Sequence, residues 1–253
     1  MNDALLLYNQ ENGIVTLTLN RPQHYNALSS ALLTALQARL EQVADDASAR
    51  VLILAASGKA FCAGHDLNEI DELAHHANAS ENLFRQCSRV MLTLTRMPQP
   101  VIAQVQGVAT AAGCQLVAAC DLAIASENAR FAVSGINLGL FCSTPAVALS
   151  RNLGRKRAMQ MLLSGEFIDA PTALAWGLIN EVVSIHDLNT HTQTLAQKLA
   201  TKNATALALG KQAFYRQLEY GLEDAYQLAN GVMAENLLCE KTQSDIKHFL
   251  KRT

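Results

Sequence analysis

The chain is short of the features that mark several functional classes. Aromatic residues make up 5% of its 253 positions and charged residues 17%, and 20 basic side chains against 22 acidic ones leave a formal charge of −2. No field of one sign therefore draws nucleic acid or an anionic membrane, and neither is expected as a partner. The six cysteines (Cys62, Cys87, Cys114, Cys120, Cys142 and Cys239) include no C-x-x-C pair, and His24, His186, His191 and His248 are scattered without metal-ligand spacing. No metal site is expected. Most of the cysteines lie in apolar context and read as reduced thiols packed as small hydrophobes. That places the chain in a reducing compartment.

The amino terminus carries Asp3 where a signal peptide needs a basic region, and its Leu5-Leu6-Leu7 run is too short to export or anchor a protein. A cytoplasmic location is expected. The longest uncharged stretches, Met97 to Cys120 and Phe131 to Ser150, are broken by Pro98, Pro100, Gln104, Gln106 and Gln115 and by Asn137 and Pro145. Such polar interruptions suit buried walls of one site better than membrane spans. There is no G-x-G-x-x-G or P-loop to cradle nucleotide phosphates.

What is present is apolar surface. Half the residues are hydrophobic, and a chain of this mass should fold to about 11,000 Å² of accessible surface from roughly 40,000 Å² unfolded. Leu5 to Asn9 and Ile14 to Leu19 flank Asn12-Gly13 and form a hairpin. Leu32, Leu33, Leu36, Leu40 and Val43 recur at helical spacing behind Ser29, and Val51 to Ala55 is a strand buried on both faces. A helix over Ser80 to Met97 stops at Pro98, strands follow at Val101 to Gln106 and Leu122 to Ala125, and a small-residue helix spans Ala112 to Cys120. Helices are expected near Thr144 to Ser150, Arg155 to Leu163 and Pro171 to Gly177, then a strand at Asn180 to Ser184. The repetition of strand, loop and helix indicates an α/β fold. Composition turns all-helical near Asp187, so residues 1–186 form the core and 187–253 a helical region for packing and oligomerisation.

Gly64 and Gly113 each follow a buried strand in loops of very small residues, Cys-Ala-Gly-His and Thr-Ala-Ala-Gly-Cys. Tight packing of backbone on backbone explains such loops first. If Ala112 begins a helix, however, its outward N–H would also stabilise an oxyanion with no charged side chain. His65 and Asp66 are adjacent acid-base candidates, with Asp66 better read as a helix cap and His65 as a spacer. Cys142 and Ser143 have no base at a recognisable spacing and read as inert.

Five motifs taken together resemble the crotonase, or enoyl-CoA hydratase/isomerase, superfamily over nearly the whole chain. They are Asn20-Arg21-Pro22 with Asn26-Ala27-Leu28, Phe61-Cys62-Ala63-Gly64-His65-Asp66-Leu67, Pro100-Val101-Ile102-Ala103, Ala112-Gly113-Cys114-Gln115-Leu116 ending at Cys120-Asp121, and Asn137-Leu138-Gly139-Leu140. The resemblance implies a spiral of ββα units with a carboxy-terminal helical region, assembled as a homotrimer or homohexamer. It implies an acyl-CoA enzyme of lyase or isomerase class, with coenzyme A entering as part of the thioester substrate and no covalently bound cofactor. By position, the main-chain N–H groups of His65 and Ala112 would hold the thioester carbonyl and stabilise an enolate, with Gln115 orienting substrate or water. Gln23, His24, Ala63, Leu67, Gly135 and Cys142 would line the CoA and substrate site, and Lys251 or Arg252 would reach the CoA phosphates.

One departure bears on the reaction. The two glutamates of the hydratases fall at Gln115 and Gly135. Hydration needs a base for water and an acid for the α-carbon, and losing such groups costs 10²- to 10⁴-fold each. Fast hydration is therefore not expected. Decarboxylation of a malonyl- or methylmalonyl-type thioester, which makes the enolate without a base, is an alternative reading, although the tyrosine of those decarboxylases aligns with Cys142. A non-catalytic acyl-CoA-binding or regulatory protein is another.

Overall fold

The computed structural model describes residues 4–251. The hairpin forms first: β1 (Leu6–Glu11) and β2 (Ile14–Leu19) are antiparallel, and Asn12 and Gly13 both take positive φ at the turn. A short 3₁₀ turn at Pro22–His24 leads to α1 (Ser30–Asp45), capped by the Ser29 side chain accepting from Leu32 N–H. The five apolar residues read at helical spacing are the five that α1 buries.

Three ββα turns follow. β3 (Val51–Ala56) and β4 (Ala60–Cys62) precede α2 (Leu67–Leu73) and α3 (Ala77–Arg96). β5 (Val101–Val105) and β6 (Val108–Thr110) precede α4 (Ala112–Ala119), and β7 (Leu122–Ser126) and β8 (Arg130–Ala132) precede a 3₁₀ turn at Ser134–Leu138 and α5 (Ser143–Asn152). Each turn gives its first strand to one sheet and its second to another. The large sheet runs β1-β2-β3-β5-β7-β10, and the small one β4-β6-β8-β9. Between them come α6 (Arg155–Ser164), β9 (Ile168–Asp169), α7 (Ala170–Trp176) and β10 (Glu181–Val183). The α/β spiral of ββα units is therefore present.

β3 shows why a central strand is apolar throughout. Leu52 and Leu54 face the main core, while Val51 and Ile53 face a second cluster closed by Leu188 and Ala196 of α8 (Leu188–Ala200). The helical region thus begins by covering the outer face of the large sheet. It continues as α9 (Ala204–Gln217), α10 (Leu222–Leu238) and α11 (Glu240–Leu250). These last helices leave Leu222, Tyr226, Met233, Leu237, Leu238 and Phe249 exposed. The chain presents 13,786 Å², well above the about 11,000 Å² of a compact monomer this size. Among the described residues no helix is long and apolar enough to cross a membrane.

Candidate active site

Two loops and one helix end converge where β4 and β6 finish. The first loop is anchored by Asn26, fully buried, whose Nδ2 donates to the carbonyls of Ser57 and Ala60 (both 2.8 Å) and whose Oδ1 accepts Arg21 N–H. Tyr25 and Asn26 take positive φ to make that bend. The second loop lies alongside: Ala63 N–H donates to Tyr25 O, Leu28 N–H to Gly64 O at 2.7 Å and Asp66 N–H to Leu28 O at 3.3 Å. This pattern uses Leu28 to hold the residues on either side of His65 and leaves the His65 N–H on the other edge.

Ala112 is the first residue of α4, so its N–H has no acceptor within the helix. Neither the His65 N–H nor the Ala112 N–H has a hydrogen-bond partner among the described residues. Gly64 brings them together. It has a φ of +96°, and a Cβ there would lie 2.9 Å from Ala111 Cβ and 3.4 Å from Ala112 N. At Gly113 a Cβ would stand 2.1 Å from Cys62 O, a distance no side chain tolerates. Tight backbone packing is thus present, and it is what brings the two amides close.

Ala111 turns the chain from β6 into α4 at φ 50° and ψ −121°, with its N–H bonded to Ala132 O at 3.0 Å. A non-glycine residue there costs of order 1–3 kcal/mol. No residue type announces this bend, since alanine carries no mark of positive φ.

Gln115, one turn into α4, is 4% exposed, and its buried Oε1 has no hydrogen-bond partner. Both ring nitrogens of His65 are likewise buried and have no side-chain partner, and the ring meets Phe84 edge-on with centroids 5.4 Å apart. Burial holds the His65 pKa below its ordinary value; the Leu28 main chain and the Glu69 charge oppose that shift without reversing it. His65 and Asp66 do not form a pair. Asp66 caps α2 by accepting Asn68 N–H and meets Arg21 Nη2 at 3.0 Å, while Arg21 Nη1 donates to Ala27 O. Burial raises the Asp66 pKa, but the Arg21 and Asn68 hydrogen bonds and the Arg21 charge outweigh it and leave the carboxyl below its ordinary value.

The remaining sequence candidates fall in two groups. Gln23 and His24 stand exposed on the 3₁₀ turn beside Ala63, and Leu67 is exposed at the start of α2. Across the site, Thr110 and Ser134 hydroxyls pair at 2.8 Å, placing Gly135 beside the end of β6. A Cβ on Gly135 would meet Leu140 O at 2.5 Å and Cys142 Sγ at 2.8 Å. A glutamate therefore has no room there unless that loop shifts. Cys142 is buried just before α5, and burial raises its thiol pKa. The Cys114 thiol is pushed up to about 12 for the same reason. Ser143 is exposed, and its hydroxyl reaches only Phe141 O. Lys251 ends α11, and Arg252 lies outside the described residues. No group of three metal-ligating side chains occurs among the described residues.

A family model described as enoyl-CoA hydratase/isomerase matches residues 9–253. The chain is 44% identical over 248 residues to the Xenopus laevis mitochondrial enoyl-CoA hydratase domain-containing protein 3, covering 98% of this chain and 84% of that one. The human protein of the same name is 44% identical over 243 residues, covering 96% and 80%. A crystal structure of an enoyl-CoA hydratase from Mycobacterium smegmatis superposes with a TM-score of 0.96 at 52% identity, over 99% of this chain and 97% of that one. The expected cytoplasmic location does not stand against these relatives, whose names place them in mitochondria. Reduced thiols separate oxidising from reducing surroundings and do not separate one reducing compartment from another.

Proposed function

This chain belongs to the enoyl-CoA hydratase/isomerase family, and from that premise we propose that it binds an acyl-CoA thioester and stabilises its enolate on the His65 and Ala112 amides. The observation that carries this reading is the pair of unpartnered N–H groups brought together by Gly64 at the amino end of α4. A thioester carbonyl gains negative charge as its α-carbon becomes an enolate. Fixed amide donors, reinforced by the helix dipole, stabilise that charge more than the neutral carbonyl, which is the condition for catalysis. Removing one such donor typically costs about 10²- to 10³-fold in rate.

Coenzyme A, as part of the substrate, would run along Gln23, His24, Ala63 and Leu67. Gln115 would orient the acyl group or a water, and Gly135 and Cys142 would close the far wall. An amide at Gln115 and no side chain at Gly135 leave neither position able to exchange a proton near neutral pH, so fast hydration is not part of the proposal. The exposed apolar faces of α10 and α11 favour assembly as a homotrimer or homohexamer.

Calorimetry against a panel of acyl-CoA thioesters, with product analysis on the same panel, tests the reading. Binding with conversion of at least one thioester is expected. Release of CO₂ from malonyl- or methylmalonyl-CoA alone would make the reaction a decarboxylation. Tight binding without conversion would make this a binding protein, and no binding would refute the reading.

A further inference from the structure

A buried ion pair returns little net stability, because desolvating two charges costs about as much as their attraction gives back, so such a pair asks for another reason to exist. Among the described residues two ion pairs are largely buried. Lys211 and Asp121 meet beyond the far end of α4, and Arg21 and Asp66, with side chains 13% and 11% exposed, meet beside the free His65 amide. The remaining pairs lie on the surface.

The Arg21 fork joins both loops of the site. Its Nη1 donates to Ala27 O at 2.7 Å and its Nη2 to Asp66 Oδ2 at 3.0 Å. Ala27 precedes Leu28, Asp66 follows His65, and Leu28 and His65 are partners in an isolated parallel bridge. That bridge consists of Leu28 N–H on Gly64 O at 2.7 Å and Asp66 N–H on Leu28 O at 3.3 Å, and it turns the His65 N–H to the opposite edge. The second bond is long, so the bridge alone holds residue 66 loosely. A planar guanidinium with two donors at fixed spacing sets Asp66 against Ala27, and through the chain beside it fixes the direction of the His65 N–H.

Other duties do not account for the pair. Asp66 caps α2 through Oδ1 on Asn68 N–H, which uses one carboxylate oxygen and needs no cation. Arg21 is not a free cation for a phosphate either, since Nη1 and Nη2 are both engaged and the adjoining carboxylate balances its charge. We propose that Arg21 and Asp66 are positioning residues for the His65 amide, holding its N–H on the line of the thioester carbonyl without touching the substrate. This rests on the acyl-CoA reading above and adds what gives one of its two donors its aim. Aim decides the outcome, because a hydrogen bond weakens steeply once bent and a misplacement of about 1 Å at a reacting centre costs about 10²-fold in rate.

The test is infrared difference spectroscopy of the full-length protein with butyryl-CoA carrying ¹³C at the thioester carbon, alongside calorimetry with the same ligand. Asp66→Asn keeps the shape and an oxygen for the α2 cap but sets an amide nitrogen against Arg21. Arg21→Lys keeps the charge but loses the fork. Each should lose most of the wild-type shift of the carbonyl stretch while binding butyryl-CoA within about tenfold of wild type, the worth of a single hydrogen bond. Leu188→Ala, in the cluster on the outer face of the large sheet, loosens the fold away from the site and should keep the full shift. A full shift retained in either site variant would overturn the inference, making the pair a structural contact only, and so would an equal loss in Leu188→Ala. Failure of both site variants to fold, read by circular dichroism and melting, would overturn it too, by making the pair a requirement of the whole fold. These outcomes leave the acyl-CoA reading in place. A wild-type complex with no shift would refute the enolate reading and this inference with it.

Discussion

Lys211 Nζ lies 2.7 Å from Asp121 Oδ2, joining helix α9 to the residue two positions past the end of α4. Both side chains are largely buried, and every polar atom is used. Lys211 also donates to Leu94 O and Gln99 O, and Asp121 also accepts Val101 N–H and Tyr215 OH. Burial lowers the Lys211 pKa and the Asp121 charge opposes it. The pair ties the helical region to the far end of the helix whose start bears the Ala112 amide.

Lys211→Met removes one member of this pair and leaves a buried carboxylate with only neutral donors. A stability loss of about 3 kcal/mol is expected, read as a lower urea midpoint with an unchanged slope. A loss below 0.5 kcal/mol would show that the helical region is held mainly by apolar contact.

The buried His65 makes ligand-free stability depend on pH in a stated direction. Its folded pKa lies below the unfolded value of about 6.5, so below that pH the unfolded chain binds a proton that the folded one does not. Stability should therefore fall as pH drops from 6.5 toward the lower folded value, and His65→Phe should flatten that part of the curve. Urea titrations at half-unit intervals measure it. An unchanged slope in the variant would contradict the burial of a neutral imidazole.

Restoring carboxylates should succeed at one position and fail at the other. Gln115→Glu replaces one side chain by another of nearly the same shape and should fold. Gly135→Glu must push aside Leu140 O and Cys142 Sγ, and should cost about 1–3 kcal/mol as overpacking does. Thermal melting of the two variants compares them directly, and equal stability would mean that the 139–142 loop moves freely.

The exposed apolar faces of α10 and α11 predict association. Light scattering at micromolar concentration should give three or six times the 27.3 kDa chain mass, and Leu238→Glu, at a position 76% exposed, should shift the population toward monomer. A wild-type monomer would leave the surface of this chain unexplained.

How much of this was legible in the sequence depended on whether a residue type announces its conformation. The heptad-like leucines of α1 and the unbroken apolar run of β3 were readable because burial alone dictates them. Gly64 and Gly113 were readable because only glycine permits such close approach. The small sheet was not: β4, β6 and β8 are three residues each, too short for alternation to show. Helix α2, seven residues long, was signalled only by its cap, Asp66. The side-chain amide nitrogens of Asn26 and Gln106 bond carbonyls of distant segments, so nothing local revealed that anchoring role. Ala111 had no signal at all.

Two main-chain N–H groups polarising one carbonyl are the centre of the proposed chemistry. Infrared difference spectroscopy of butyryl-CoA carrying ¹³C at the thioester carbon, bound to the wild-type protein, reads that interaction at the bond itself. The stretch should move to lower frequency than in free butyryl-CoA, as a carbonyl drawn toward the enolate does. A bound thioester whose carbonyl absorbs where the free one does would contradict the claim.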